Sequence, residues 1–112
     1  MDINSLKSQF SKYKKDLLDL NKYMYENPEL GYQEIKSVNK ITKLIKKHTA
    51  DAKFKKFTDI PTAFTASINN KPRRENIAIC IEYDALPNVG HACGHNLISS
   101  IGLGAFFILR II

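Results

Sequence analysis

Ile77-Ala78-Ile79-Cys80-Ile81-Glu82-Tyr83-Asp84 is the stretch on which the reading of this chain turns. An unbroken apolar run followed by two carboxylates predicts an interior strand, about Asn76 to Tyr83, covered on both faces. Within it Cys80 reads as a small buried residue rather than a reactive one. Helical patterns lie on both sides of the run along the sequence, which points to an α/β layered domain.

Upstream, Leu6, Phe10, Tyr13, Leu17, Leu20 and Met24 recur at spacings of four and three. They predict an amphipathic helix from about Asn4 to Glu26, ended by Asn27-Pro28 because proline disfavours helical geometry in the residue before it. After Gly31 a second helix is expected from about Tyr32 to His48, with Ile35, Val38, Ile41 and Ile45 on its buried side. His48 then complements the carboxyl end of that helix. Ala52 to Phe57 and Ala63 to Ile68 read as strands around a turn at Asp59-Ile60-Pro61-Thr62, the second strand with one wet face. Asn69 to Glu75 is a polar loop. Downstream, Leu97 to Ile112 is strongly apolar but holds Arg110 and is shorter than the roughly twenty residues of a membrane span. A buried helix is expected there, and residues 1–112 read as part of one domain without an internal boundary.

The bulk properties narrow the function. With 44% hydrophobic and 25% charged residues among 112, the chain can bury a core, which excludes a disordered segment. The net charge of +6 invites a nucleic-acid reading. However, Lys14, Lys15, Lys36, Lys40, Lys43, Lys46 and Lys47 fall between apolar positions of the two helices, as on solvated faces. No arginine-rich run or nucleic-acid motif accompanies them. Two cysteines make no disulfide framework, and Met-Asp-Ile-Asn lacks the order of a signal peptide, so a cytoplasmic protein without membrane attachment is expected.

The chemistry concentrates just past the apolar run, in Glu82-Tyr83-Asp84-Ala85-Leu86-Pro87-Asn88-Val89-Gly90-His91-Ala92-Cys93-Gly94-His95-Asn96. Open α/β sheets bind ligands beyond the carboxyl ends of their strands. Cys93 and His95, two apart across Gly94, are candidate metal ligands: a thiolate with a neutral imidazole suits zinc, and imidazole with carboxylates also admits manganese or cobalt. An isolated C-x-H is more often a buried cysteine beside a capping histidine, and the neighbouring glycines and Asp84 shift that balance. Asp84 either ligates metal or stands behind a ligand histidine, fixing its tautomer. Glu82 reads as its polar neighbour on the same strand face. His91 is a third ligand, a substrate donor or a loop residue, ranked below His95.

At these residues the sequence resembles the metallo-aminoacylase and carboxypeptidase family, the metallopeptidase clan that includes auxin-conjugate amidohydrolases and aminobenzoyl-glutamate hydrolases, the last branch above all. The Gly90-His91-Ala92-Cys93-Gly94-His95 string carries the likeness. Asn27-Pro28-Glu29-Leu30-Gly31-Tyr32-Gln33-Glu34 and Ile60-Pro61-Thr62-Ala63-Phe64 agree with it in the same order. The resemblance implies a catalytic α/β domain with an inserted lid or dimerisation domain, and one or two divalent metals, zinc or manganese. It further implies a glutamate base and hydrolysis of the amide of an N-acyl amino acid or dipeptide-like small molecule by a full-length relative, which can be a homo-oligomer. Cys93 and His95 match the branch's metal ligands, and Asp84 the catalytic aspartate beside them. Two positions depart from the pattern: some relatives carry a ligand histidine where Glu82 stands, and histidine is common where Tyr25 stands. The family's base, its other ligands and its inserted domain would fall beyond Ile112. A truncated catalytic domain, inactive alone, is therefore expected. The alternative is an interaction module that associates with a separately encoded remainder.

Overall fold

The computed structural model describes residues 2–68 and 75–110, so nearly all of the expected polar loop and the last two residues lie outside the described residues. Three helices and a two-stranded sheet make a mixed α/β unit: α1 (Ile3–Glu26), α2 (Ile35–His48), β1 (Lys53–Lys56), β2 (Phe64–Ser67) and α3 (His95–Leu109). The strands pair antiparallel, Lys53 opposite Ser67 and Lys56 opposite Phe64.

α1 starts where the Asp2 side chain accepts from the Ser5 N–H at 2.8 Å, and ends at Asn27, whose N–H returns to the Tyr23 and Met24 carbonyls. Its stripe buries Leu17, Leu20 and Met24 against Leu103 and Phe107 of α3 and Ile41 and Ile45 of α2. Tyr13, His48 and Phe107 extend this core as a ring cluster, with centroids 4.9 to 5.2 Å apart. Phe10, expected in the stripe, lies more than a third exposed near the amino end.

His48 does more than complement its own helix. Its Nε2 lies 2.7 Å from Asp16 Oδ2 on α1, and Lys47 reaches the same oxygen at 2.8 Å. The Lys47 hydrogen bond, then that of His48, holds the Asp16 carboxyl below its ordinary value. The folded state therefore binds fewer protons there than the unfolded chain. This stabilisation is complete above the ordinary carboxylate range and is lost as pH falls through the lowered folded value. Asp16→Asn should cost about 0.5–1 kcal/mol at neutral pH, since the pair is partly screened by solvent. In urea titrations the gap to wild type should close under strongly acidic conditions.

Two expectations are corrected in α2 and two more in the apolar run. Helix α2 begins at Ile35 rather than Tyr32, because Tyr32 adopts φ 68° and cannot continue a helix. Ile35, expected on the buried side, is consequently first in the helix and exposed, and Ser37 is buried with Val38, Ile41 and Ile45. Residues 76–83 are not an interior strand: among the described residues they join no sheet, and Ile77 is 77% exposed. From Ile79 onward exposure alternates. Ile79, Ile81 and Tyr83 turn inward, Ile81 and Tyr83 against the core, while Cys80 and Glu82 face out. Cys80 is accordingly an exposed free thiol, not a buried one. The segment has α3 on one side and, among the described residues, no strand in hydrogen-bonding register on the other. An all-apolar run cannot reveal which of its faces a neighbour covers.

The same asymmetry corrects the reading of α3. Ser99, Gly102, Leu103, Gly104 and Phe107 are buried, whereas Leu97 and Ile101 are exposed. Among the described residues no helix is long and apolar enough to cross a membrane. The buried side relies on Gly102, where an added β-carbon would collide with Cγ2 of Ile81, and on Gly104, where it would lie 3.0 Å from the Phe10 ring. Ile81 is β-branched and has little freedom to retreat. Gly102→Ala gains about 1 kcal/mol of helix propensity but sets against it an overpacking cost of about 1–3 kcal/mol. A lower melting temperature than wild type is expected in a thermal scan.

Candidate functional site

The three stretches that carry the family resemblance meet in space. The Ala85 N–H donates to the Glu29 carbonyl at 2.7 Å, and Leu30 and Ala85 form a parallel bridge. Glu29 also accepts from the N–H groups of Lys36 and Ser37 at 2.9 and 2.7 Å, capping α2 from seven and eight residues upstream. The Asn27–Glu34 string thus holds the start of α2 and the loop after Asp84 in one frame. Tyr83 completes the frame by donating its hydroxyl to the Thr62 carbonyl.

From Leu86 the chain reverses tightly. Leu86 and Gly90 exchange N–H···O bonds at 2.9 and 3.2 Å, with Asn88 at φ 66° and Gly90 at φ 64°. A second reversal at Gly94, φ 83°, opens α3, so that His95 is its first residue. The step from Cys93 to His95 across Gly94 is therefore a left-handed turn at a helix start. The Ser99 hydroxyl donates to the Glu82 carbonyl at 2.6 Å, and Asn96 donates to Asn21 of α1 at 2.8 Å, fixing the first turns of α3.

Within this frame Cys93 and His95 converge on Asp84. The Cys93 thiol lies 3.9 Å and His95 Nδ1 3.0 Å from the Asp84 carbonyl, and Nδ1 is 2.8 Å from Asp84 Oδ1. On the other side of the ring, His95 Nε2 is 3.1 Å from Glu82 Oε2. With its Nδ1 proton donated to Asp84, the ring turns its Nε2 lone pair toward a carboxylate oxygen. Two acceptors at that distance are favourable only with a proton or a cation between them. Donors about 2.1 Å from one metal ion stand roughly 3 Å apart, so the His95–Glu82 spacing also suits two ligands of one ion. Cys93 is exposed and accessible. Among the described residues, though, no three His, Cys, Asp or Glu side chains group closely enough to hold an ion by themselves.

His91 is placed differently from the ranking by sequence. It is only 6% exposed, and neither ring nitrogen has a hydrogen-bond partner among the described residues. Burial pushes its imidazole below the ordinary value, nearby His95 adds to this, and Asp84 opposes it. Tyr25, at a position where histidine is common in the family, is exposed and takes no part in these contacts.

Beside Asp84 and Glu82 opens a cleft of about 330 Å³, walled also by Gly31, Glu34, Ile60 and Thr62. Sequence reasoning passed over Glu34, since a glutamate at a helix start reads as an ordinary cap. It is 8% exposed, and its Oε2 is enclosed without a hydrogen-bond partner among the described residues. Tyr83 was read only as the end of the strand. Burial first, and the charge of Glu34 second, push its phenol up to about 12.

No protein-family model matches the chain. It is 36% identical over 98 residues to the Xaa-Arg dipeptidase of Mus musculus, a stretch covering 81% of this chain and 23% of that protein. The Xaa-Arg dipeptidase of Homo sapiens is 33% identical over 101 residues, with the same coverages. The N-acetyldiaminopimelate deacetylase of Oenococcus oeni is 28% identical over 103 residues, covering 79% of this chain and 27% of that protein. Dipeptidases and deacetylases share one chemistry, hydrolysis of an amide bond. The chain belongs to the amidohydrolase family of the aminoacylases and carboxypeptidases. It spans about a quarter of the length of the curated relatives it matches.

Proposed function

We propose that this chain supplies one wall of the metal site of an amidohydrolase acting on small amides, either N-acyl amino acids or dipeptide-like molecules. The reading is supported above all by His95, held at Nδ1 by Asp84 while Nε2 faces Glu82. In this reading Cys93 and His95 are metal ligands and Asp84 is a positioning residue that fixes the ring tautomer. Glu82 lies where it can share the ion, which the resemblance alone did not assign to it. A divalent ion, zinc or manganese, supplies an activated water when bound. The residues of the chain hold and orient: the Leu86–Gly90 reversal and the Gly94 turn place thiol and imidazole around the Asp84 carbonyl.

Catalytic zinc ordinarily has three protein ligands. The 112-residue chain, loaded with zinc or manganese, is therefore expected to show no turnover of N-acetyl amino acids or dipeptides above a protein-free blank. Turnover that scales with chain concentration would contradict this division of the site.

A second reading is favoured by the apolar surface. Ile77, Leu97 and Ile101, all more than half exposed, flank the site-bearing segment. In this reading the chain is a binding module that joins a separately encoded remainder through these faces. A monomer in sedimentation, unchanged when mixed with such a remainder, would remove it.

A further inference from the structure

We propose that Glu34 is the anionic anchor of the cleft beside Asp84 and takes the cationic end, guanidinium or ammonium, of an amphipathic ligand. Three observations carry this. First, a buried carboxylate oxygen without a partner is unfavourable; Glu34 lines the cleft, and its Oε2 is enclosed with no partner among the described residues. The neighbouring phenol does not relieve it, because Tyr83 donates its hydroxyl to Thr62 instead. Second, the described residues lining the cleft include three carboxylates, Glu34, Glu82 and Asp84, and no Lys, Arg or His, in a chain whose net charge is +6. Of the three, Glu82 and Asp84 already face His95, which leaves Glu34 as the one without a counter-group among the described residues. Third, Ile60, Ala63 and Ile81 line the same cleft and offer an apolar wall to an aliphatic stem. A stem of methylenes ending in a nitrogen cation, as in arginine or lysine, matches such a surface.

The inference deepens the amidohydrolase reading by giving the substrate a basic side chain, and it rests on that reading only for the word substrate. Its test needs neither metal nor turnover. The isotope-labelled chain, in buffer containing a chelator, is titrated with N-acetyl-argininamide, N-acetyl-lysinamide and N-acetyl-citrullinamide while backbone amide shifts are followed by NMR. At least one cationic compound should move the amides of residues 31–34, 60–63 and 81–84 saturably. The neutral citrulline compound, nearly isosteric with the arginine one, should bind at least tenfold more weakly. Glu34→Gln should reduce cation binding to the citrulline level. Equal affinity for the charged and neutral compounds in the wild-type chain overturns the proposal, whether or not the variant folds. So do an unchanged affinity in a folded Glu34→Gln chain and shifts confined to the groove between α1 and α2. A failed metal titration would leave this result standing, and the converse also holds.

Discussion

Phe107→Ala is expected to remove about 3–5 kcal/mol of folding stability, enough to leave much of the population unfolded at 37 °C. Phe107 is 1% exposed, and its ring lies 5.1 Å from Tyr13 and 5.2 Å from His48. It therefore joins α3 to α1 and to the carboxyl end of α2. Truncation leaves a cavity between three helices, bordered by the Tyr13 and His48 rings. Neither α1 nor α3 can close it, because Gly104 already brings the two helices to near-contact distance. Urea unfolding followed by circular dichroism reads the effect directly. A loss below about 1 kcal/mol would mean that α3 is not docked as described.

The second large effect concerns the site rather than the core. Asp84→Asn is expected to lower divalent-metal affinity by about 10- to 100-fold while leaving the helical signal intact. The carboxylate accepts from His95 Nδ1 at 2.8 Å, whereas an asparagine can turn its amide N–H₂ toward the ring. The ring then carries its proton on Nε2, and the lone pair that faces Glu82 is gone. Asp84→Glu should restore affinity in part if the defect is one of tautomer. Binding is measured by competition with a chromophoric chelator. An unchanged affinity would show that Asp84 does not orient the ring.

How much of this was legible in the sequence depends on the kind of signal. Helices α1 and α2 announced themselves through apolar spacing: their starts moved by one and three residues, and their carboxyl ends fell where expected. The shift at α2 goes with the left-handed Tyr32 and with Glu29, which caps N–H groups seven and eight residues away, too far for any local pattern to show. The site loop was legible because its chemistry is dense: Cys93, His95 and Asp84 lie close in sequence, and two chain reversals bring them close in space. The one-sided cover of residues 76–83 was not legible. A run such as Ile77-Ala78-Ile79-Cys80-Ile81 has the same composition whether one face or both are covered. Glu34 was hidden for another reason. It is buried beside a cleft shared with Ile60, Thr62, Ala63 and Tyr83, all distant in sequence, and its own neighbours give no hint of it.

The account stands on a thiol and an imidazole gathered around Asp84 to hold one divalent ion. Cobalt titration of the chain, followed by electronic absorption, tests this most directly, since cobalt accepts the same ligands as zinc and reports thiolate coordination. A thiolate-to-cobalt charge-transfer band should grow with added metal in the wild-type chain, vanish in Cys93→Ser and weaken strongly in His95→Ala. A band of equal intensity in all three proteins, or none in the wild type at saturating metal, would contradict it.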